Sequence, residues 1–184
     1  MTLEDQPTVE ADDLRSRDES RWRKLRYLLV SVGVIVLDQW TKWLVELHLP
    51  HHTTETLIPG LNLTHVRNAG VAFGLFASDG GNGLLLTILG LAALGAVALY
   101  FWFAPARDRW LLVALALVVG GAVGNLIDRV TSGAVTDFID VYVGVHHWPS
   151  FNVADSAISI GIVLMAIDSF RPHHREIPAP APAE

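Results

Sequence analysis

The chain has 184 residues, of which 51% are hydrophobic and 17% are charged, and its net charge is −6. The charges are concentrated in the first 26 residues, the loops and the tail, which excludes an ordinary soluble domain and a basic surface for nucleic acid. The sequence contains no cysteine, so disulfides, thiolate nucleophiles and cysteine-ligated zinc are also excluded.

The N-terminal part combines an acidic stretch with the first apolar run. Residues 1–20 are polar and lack apolar periodicity, so we predict a disordered arm there. A short basic cluster at 21–26 precedes the apolar run, which predicts a helix over about 26–47. Asp38 and Lys42 lie four residues apart in this run and share one helix face. We expect them to form a buried structural pair.

Three further apolar runs predict helices over about 84–103, 110–129 and 153–170. The run at 84–103 carries no charge, and at about 1.5 Å per residue it spans ~30 Å, the thickness of a hydrocarbon core. The last segment, 171–184, is rich in Pro and Ala and is predicted to be disordered. Residues 21–170 are therefore predicted to form one membrane domain with four transmembrane helices.

Two longer loops, about 48–83 and 130–152, connect these helices. The first contains short alternating apolar runs at 61–66 and 71–76 with turn residues between them, which predicts a small β-structured flap. The stretch 135–145 predicts one or two further strands. The fold class is thus an all-α membrane protein of four transmembrane helices with a small extracytoplasmic β-flap.

Basic residues indicate the orientation in the membrane. The two long loops carry only one Lys or Arg, Arg67, whereas the cluster at 21–26, the turn with Arg107 and Arg109, and the tail all carry several. The positive-inside rule then places both termini in the cytoplasm and both long loops outside.

Polar residues of three predicted helices lie at a similar depth. Counted from the cytoplasmic ends at about 1.5 Å per residue, Asp38 lies ~18 Å up its helix, and Asn125 and Asp155 lie ~22 Å up theirs. Lys42 and Asp128 fall at similar heights. Carboxylates are costly in a bilayer, so this coincidence predicts a polar site between helices that opens to the outer face.

The acids of these segments differ in their local partners. Asp155, Asp137 and Asp140 have no cation close in sequence, unlike Asp38 beside Lys42 and Asp128 beside Arg129. Two acids that meet in an apolar site cannot both ionise cheaply, so they share a proton. This is the electrostatic arrangement of an aspartic protease. The residues alone do not choose between Asp137 and Asp140 as the partner of Asp155.

Other interpretations remain beside this one. Asp155 also suits a helix N-cap, a role that can coexist with catalysis, and Asp137 also suits an exposed loop. A proton-coupled small membrane transporter or channel subunit is the alternative function, because intramembrane acids serve there too. It predicts acids along the whole crossing, whereas here they gather in the outer third. A non-enzymatic anchor protein is a third possibility.

Five short motifs resemble the lipoprotein signal peptidase family, also called signal peptidase II, the membrane aspartic proteases of bacteria. They occur in the order of that family and cover roughly residues 25–170. The motifs are Asp38-Gln-Trp-Thr-Lys42, Asn68-Ala-Gly-Val-Ala-Phe73, Gly120-Gly-Ala-Val-Gly-Asn-Leu-Ile-Asp-Arg129, Val135-Thr-Asp-Phe138 and Phe151-Asn-Val-Ala-Asp-Ser156.

The resemblance implies an activity and the residues that carry it. The activity is removal of signal peptides from diacylglyceryl-modified prolipoproteins at the outer face of the cytoplasmic membrane, with no metal and no cofactor. Asp137 and Asp155 would form the catalytic dyad. The resemblance also implies a β-cradle in the 48–83 loop, and we expect lipidated prolipoproteins and membrane lipid as partners, no nucleic acid, and a monomer. The supporting residues would be Asp38, Lys42, Asn68, Asn125, Asp128, Arg129 and Asn152.

Overall fold

The computed structural model describes residues 22, 24–70 and 82–171, and for 82–86 only the backbone. The predicted arm at 1–20, nearly all of the tail, and the predicted alternating run at 71–76 lie outside these residues. The described part is mostly helical with a small antiparallel sheet, which confirms the coarse fold prediction. Its four long helices are α1 (Leu28–His48), α2 (Asn82–Phe103), α3 (Arg109–Ser132) and α4 (Val153–Ser169).

Local sequence signals set the ends of α3. Asp108 precedes the helix, and its side chain accepts a hydrogen bond from the backbone N–H of Leu111 at 3.0 Å, which satisfies one of the free donors of the first turn. At the other end, Gly133 adopts a φ of 76°, the left-handed conformation that suits glycine, and its N–H bonds to the carbonyl of Arg129. The helix is therefore three residues longer than the predicted 110–129 at this end.

Glycines let α3 pack closely against α1 and α4. A Cβ at Gly120 would lie 2.9 Å from the Cα of Ser31 on α1, and one at Gly124 would lie 2.6 Å from Asp38 Oδ2. A Cβ at Gly121 would overlap the backbone of Ala154 on α4. These glycines therefore permit close helix packing, and α3 lies at the centre of the bundle.

The bundle has a small apolar core and an apolar outer surface. Phe101, Leu112 and Leu115 are buried together in the core. Large apolar side chains such as Leu29 and Phe103 are more than two-thirds exposed. Within the described residues, α1 and α3 have the length and hydropathy of membrane-spanning helices, and α2 contains a shorter apolar stretch, Thr87–Phe103. An exposed apolar surface of this kind suits contact with lipid.

The four strands form one antiparallel sheet in the order β1-β2-β3-β4. They are β1 (Thr54–Ile58), β2 (Leu61–Asn68), β3 (Val135–Val143) and β4 (His146–His147), so strands occur within both predicted loop regions. The register pairs Val66 with Asp137 and Asn68 with Val135. The end of β2 thus lies beside the start of β3, where the acid Asp137 is located.

Candidate active site

Asp155 belongs to the first turn of α4 in a reciprocal capping arrangement. The side-chain oxygen of Asn152 accepts from the backbone N–H of Asp155 at 2.9 Å, and Asp155 Oδ2 accepts from the backbone N–H of Asn152 at 3.3 Å. Asn152 is therefore the N-cap and Asp155 is the third helical residue. The N-cap interpretation of Asp155 is wrong in this detail, because the cap is three residues earlier. The other oxygen of Asp155 accepts from Asn125 Nδ2 at 2.7 Å.

Asp137 lies on β3 and is 3% exposed. Its Oδ1 accepts a hydrogen bond from Asn152 Nδ2 at 2.8 Å, and its Oδ2 accepts from Asn68 Nδ2 at 3.0 Å. Asn152 therefore bonds to both acids, through its side chain to Asp137 and through its backbone and side-chain oxygen to Asp155. Asp137 is not the exposed loop acid of the alternative interpretation.

Asp137 and Asp155 line the same cavity of about 1100 Å³. Its wall is formed by α2, α3, the ends of β2 and β3, the segment before α4, and the first turns of α4. Asn68, Asn125 and Arg129 also lie on this wall, so the predicted polar residues converge on one concave surface. A cavity of this size, mostly apolar with a few convergent polar groups, has the properties of a ligand site.

A buried ion cluster lies beneath the cavity. Lys42 Nζ lies 2.7 Å from Asp38 Oδ2 and 2.8 Å from Asp128 Oδ2, and it donates to Asn125 Oδ1 at 3.0 Å. These contacts match the three N–H groups of an ammonium ion. Asp38 Oδ1 accepts from the backbone N–H of Ala154 at 2.9 Å, so the cluster also holds the start of α4. The predicted Asp38–Lys42 pair is present, with a second acid added to it.

Asn125 connects the ion cluster to Asp155. Its Oδ1 accepts from both Lys42 and Asn152, and its Nδ2 donates to Asp155. A lysine ammonium can only donate, so the amide oxygen must face Lys42 and the NH₂ group must face Asp155. The orientation of this amide is therefore fixed by the cluster.

Arg129 does not pair with its neighbour in sequence, Asp128. Its Nη1 donates to the backbone carbonyl of Asn125 at 3.3 Å, and the side chain lies on the cavity wall. Asp128 instead contacts Lys42, Gln39 and the backbone N–H of Thr136. A helix places neighbouring residues on different faces, which explains why adjacency in sequence was misleading.

Sequence reasoning did not assign roles to Gln39 and Thr136. Gln39 Nε2 donates to Asp128 Oδ1 at 2.9 Å and to the carbonyl of Gly124 at 3.2 Å, so it ties α1 to α3. Thr136 is 1% exposed and precedes Asp137 on β3. Both residues lie inside the motifs that resemble the signal peptidase II family, and this was the only signal of a role in the sequence.

Asp140 lies apart from the cavity. Its Oδ2 accepts from Asn62 Nδ2 at 2.8 Å, and its carboxylate lies 2.9 Å from His147 Nδ1. Burial by itself would raise the pKa of Asp140, but the hydrogen bonds from Asn62 and His147 outweigh it and lower that pKa. This acid is bonded to residues of β2 and β4 rather than to the group around Asp155.

Histidines form a separate group near the end of α1. The ring centroid of His51 lies 4.1 Å from that of His52 and 4.8 Å from that of His65. Within the described residues, no group of three or more His, Asp or Glu side chains has a geometry that would hold a metal ion.

The titration of Asp137 leads to a prediction on stability. Burial raises the pKa of Asp137 to about 6; hydrogen bonds from Asn68 and Asn152 oppose the rise, and the nearby Asp155 adds to it. Between pH ~4 and ~6 the folded chain keeps a proton that the unfolded chain has released. The contribution of Asp137 to the free energy of unfolding therefore falls across this window, by up to roughly 3 kcal/mol, and levels off above it.

Asparagine at position 137 does not titrate, so the comparison isolates this effect. As the pH rises from ~4 to ~7, we expect the difference in free energy of unfolding to shift by up to roughly 3 kcal/mol in favour of Asp137→Asn. Thermal unfolding in detergent micelles at a series of pH values measures it. Asp140→Asn removes an acid of lowered pKa and should show no such shift in its favour. A pH-independent difference for Asp137→Asn would contradict the prediction.

Comparisons with known proteins identify relatives of this chain in sequence and in fold. The sequence model of the family described as signal peptidase (SPase) II matches residues 30–171. A lipoprotein signal peptidase of Acinetobacter baumannii (strain ATCC 17978) is 47% identical over 148 residues, which are 79% of this chain and 84% of that protein. One of Syntrophus aciditrophicus is 42% identical over 150 residues, covering 79% and 93%. A solved structure described as a bacterial membrane enzyme superposes with a TM-score of 0.72 at 33% identity, covering 83% and 94%.

Proposed function

The chain belongs to the signal peptidase II family, and we propose that Asp137 and Asp155 are its catalytic dyad. The chain is a bacterial membrane peptidase that removes signal peptides from prolipoproteins. The observation that carries the site proposal is the double role of Asn152, which bonds to both acids on the wall of one cavity. A single residue thereby links the two carboxyl groups, through its side-chain amide to Asp137 and through its backbone N–H to Asp155.

The chemistry follows from two carboxyl groups that share one proton. The ionised carboxylate takes a proton from water while the water oxygen attacks the carbon of the scissile carbonyl, and the protonated carboxyl donates to the carbonyl oxygen. The tetrahedral diol then loses its C–N bond: the leaving nitrogen takes up the proton that the first carboxylate gained from water, and a hydroxyl of the diol returns a proton to the second carboxylate, so the dyad again holds one proton. One water is consumed for each peptide bond, no covalent enzyme intermediate forms, and no cofactor takes part. The shared proton belongs to the pair rather than to either residue.

The surrounding polar residues support the dyad in this proposal. Asn68 and Asn152 hold the two oxygens of Asp137, and Asn125 holds Asp155. Arg129 on the cavity wall is positioned to contact the peptide substrate. The remaining residues, Asp38, Lys42 and Asp128, form the buried cluster that joins α1, α3 and the start of α4.

All four helices cross the membrane in this proposal, with both termini in the cytoplasm and the dyad toward the outer face. Basic residues share one end of the bundle: Lys24 Nζ donates to the carbonyl of Trp102, and the Arg171 guanidinium lies 4.9 Å from the ring centroid of Trp110. Asp155 lies in the first turn of α4, at the opposite end. Cations favour the cytoplasmic side, and Trp favours the interface, which supports this orientation.

The substrates in this proposal carry a diacylglyceryl group on the cysteine next to the cleavage site. The lipid would lie against the exposed apolar surface of the helices, and the peptide would enter the cavity from the membrane. The protein acts as a monomer in this proposal.

Cleavage of a lipidated prolipoprotein tests this function. We expect the purified protein to release the signal peptide from a diacylglyceryl-modified prolipoprotein, seen as a gel-mobility shift and a peptide of the expected mass. The same prolipoprotein with an unmodified cysteine is the control and should remain uncleaved. Failure to cleave the lipidated substrate would contradict the activity, whereas equal cleavage of both would contradict only the lipid requirement.

A further inference from the structure

The backbone of Thr136, on β3, is bonded to side chains on two sides. Its N–H donates to Asp128 Oδ2 at 3.2 Å, and its carbonyl accepts from Asn152 Nδ2 at 3.3 Å. Successive side chains of a strand point to opposite faces, so the Thr136 side chain points away from the cavity that Asp137 lines. Thr136 therefore lies behind the catalytic acid and is not part of the cavity wall.

A third contact comes from α1. The Thr136 hydroxyl donates to Glu46 Oε1 at 2.8 Å, and Glu46 lies one turn after Lys42 on the same helix. Glu46 is exposed, and it is not among the residues of the cavity wall. The bond thus joins the outer end of α1 to the residue next to Asp137 without reaching the site itself.

The three contacts act in different directions. The two backbone bonds join Thr136 to α3 and to the residue before α4. The side-chain bond ties β3 to α1, behind the strand. A buried β-strand position is suited to a purely apolar β-branched residue such as valine, so a hydroxyl here needs its partner to be tolerated. The sharing of a proton between two carboxyl groups depends on the distance between them, and a shift of β3 would change that distance.

We propose that Glu46 and Thr136 form a positioning pair, which sets the place of the Asp137 carboxyl by holding β3 against α1. The inference rests on the proposed function, since it presumes that Asp137 is catalytic. Neither residue touches the substrate, so the pair affects the rate of the chemical step rather than substrate binding.

Four variants and one combination test the pair. Thr136→Val and Glu46→Leu should each lower kcat roughly tenfold and leave KM within about twofold, because the catalytic geometry is lost but the cavity wall is intact. Thr136→Ser and Glu46→Gln keep a donor and an acceptor and should stay within about twofold of the wild-type kcat. The combination of Thr136→Val with Glu46→Leu should lower kcat no further than either single variant, since each single variant already removes the same Thr136–Glu46 hydrogen bond.

Thr131→Val is the matched control. Its hydroxyl bonds to the carbonyl of Ile127 within α3, and it is exposed, so kcat should not change. Thermal unfolding verifies that each variant is folded. If Thr136→Val does not fold, the two Glu46 variants test the pair instead, because Glu46 is exposed. Equal kcat for Glu46→Leu and Glu46→Gln overturns the proposal.

Three other results would also overturn the pair. These are a wild-type kcat in Thr136→Val, losses that multiply in the combination, or a raised KM with unchanged kcat in Glu46→Leu, which would indicate substrate contact. The proposed function fails separately, if the wild-type protein does not cleave lipidated prolipoprotein or if Asp137→Asn stays active.

Discussion

Replacing Asp137 or Asp155 with asparagine is expected to lower the rate of prolipoprotein cleavage by about 10³-fold or more. Each change removes one of the two carboxyl groups that exchange protons with the water and the scissile amide, and neither remaining group can do both tasks. Because the groups act as a unit, the double variant should be about as slow as either single one.

Asparagine is a suitable replacement because it keeps the size of the side chain and one acceptor oxygen. At position 155 the backbone N–H can still donate to Asn152 Oδ1, so the first turn of α4 should remain formed. Single-turnover cleavage of a lipidated prolipoprotein, followed by gel mobility, measures the rate. Thermal unfolding of the same preparations separates loss of catalysis from loss of fold.

Asp140→Asn is the matched control for both variants. The carboxyl of Asp140 lies three residues from that of Asp137 and bonds to Asn62 and His147 rather than to the residues around Asp155. Its removal should leave the rate within about threefold of wild type, since no proton transfer passes through it. An active Asp137→Asn or Asp155→Asn, or an inactive but folded Asp140→Asn, would contradict the dyad.

The choice between Asp137 and Asp140 shows where sequence reasoning stops. The two acids are an odd number of residues apart on one strand, so the period of two places them on opposite faces. The sequence therefore implies that only one of them faces the site. The pairing of β3 with β2 decides which one, because it sets Asp137 opposite Val66 and Asp140 opposite Asn62. That pairing is a long-range contact, and only the family resemblance favoured Asp137 beforehand.

The helices and the depth of the site were easier to predict. Apolar runs located all four helices within a few residues, since each helix presents apolar side chains over several turns. The constant rise per residue then placed Asp38, Asn125 and Asp155 at one level, and the structure brings them together through Lys42 and Asn152. Depth depends only on position along a helix, so it can be read from sequence.

The partners of each side chain were harder to predict than its depth. Which face a polar residue presents to its neighbours depends on how the helices are rotated and packed, and close glycine contacts set this in α3. Asp128 therefore pairs with Lys42 across helices instead of with Arg129 beside it. Asn152 could be expected near the acids, but its bonds to both of them arise only when β3 and α4 meet.

Replacing Lys42 with methionine is expected to lower the free energy of unfolding by about 3–5 kcal/mol, the cost of leaving buried charges without their partner. Lys42 is 3% exposed and lies between Asp38 and Asp128, which are 0% and 7% exposed. Methionine fills a similar volume, so the loss is electrostatic rather than a cavity effect. The unfolding temperature should fall by roughly 10 °C or more in detergent micelles.

The other lysine of the chain provides the control. Lys24 bonds to the carbonyl of Trp102 in an exposed position, so Lys24→Met should change the free energy of unfolding by about 1 kcal/mol or less. Adding Asp128→Asn to Lys42→Met removes one of the two uncompensated charges and should recover part of the lost stability, because a neutral amide can still accept from Gln39. Equal unfolding temperatures for Lys42→Met and Lys24→Met, or a further fall on adding Asp128→Asn, would show that the acids do not depend on Lys42 for their charge.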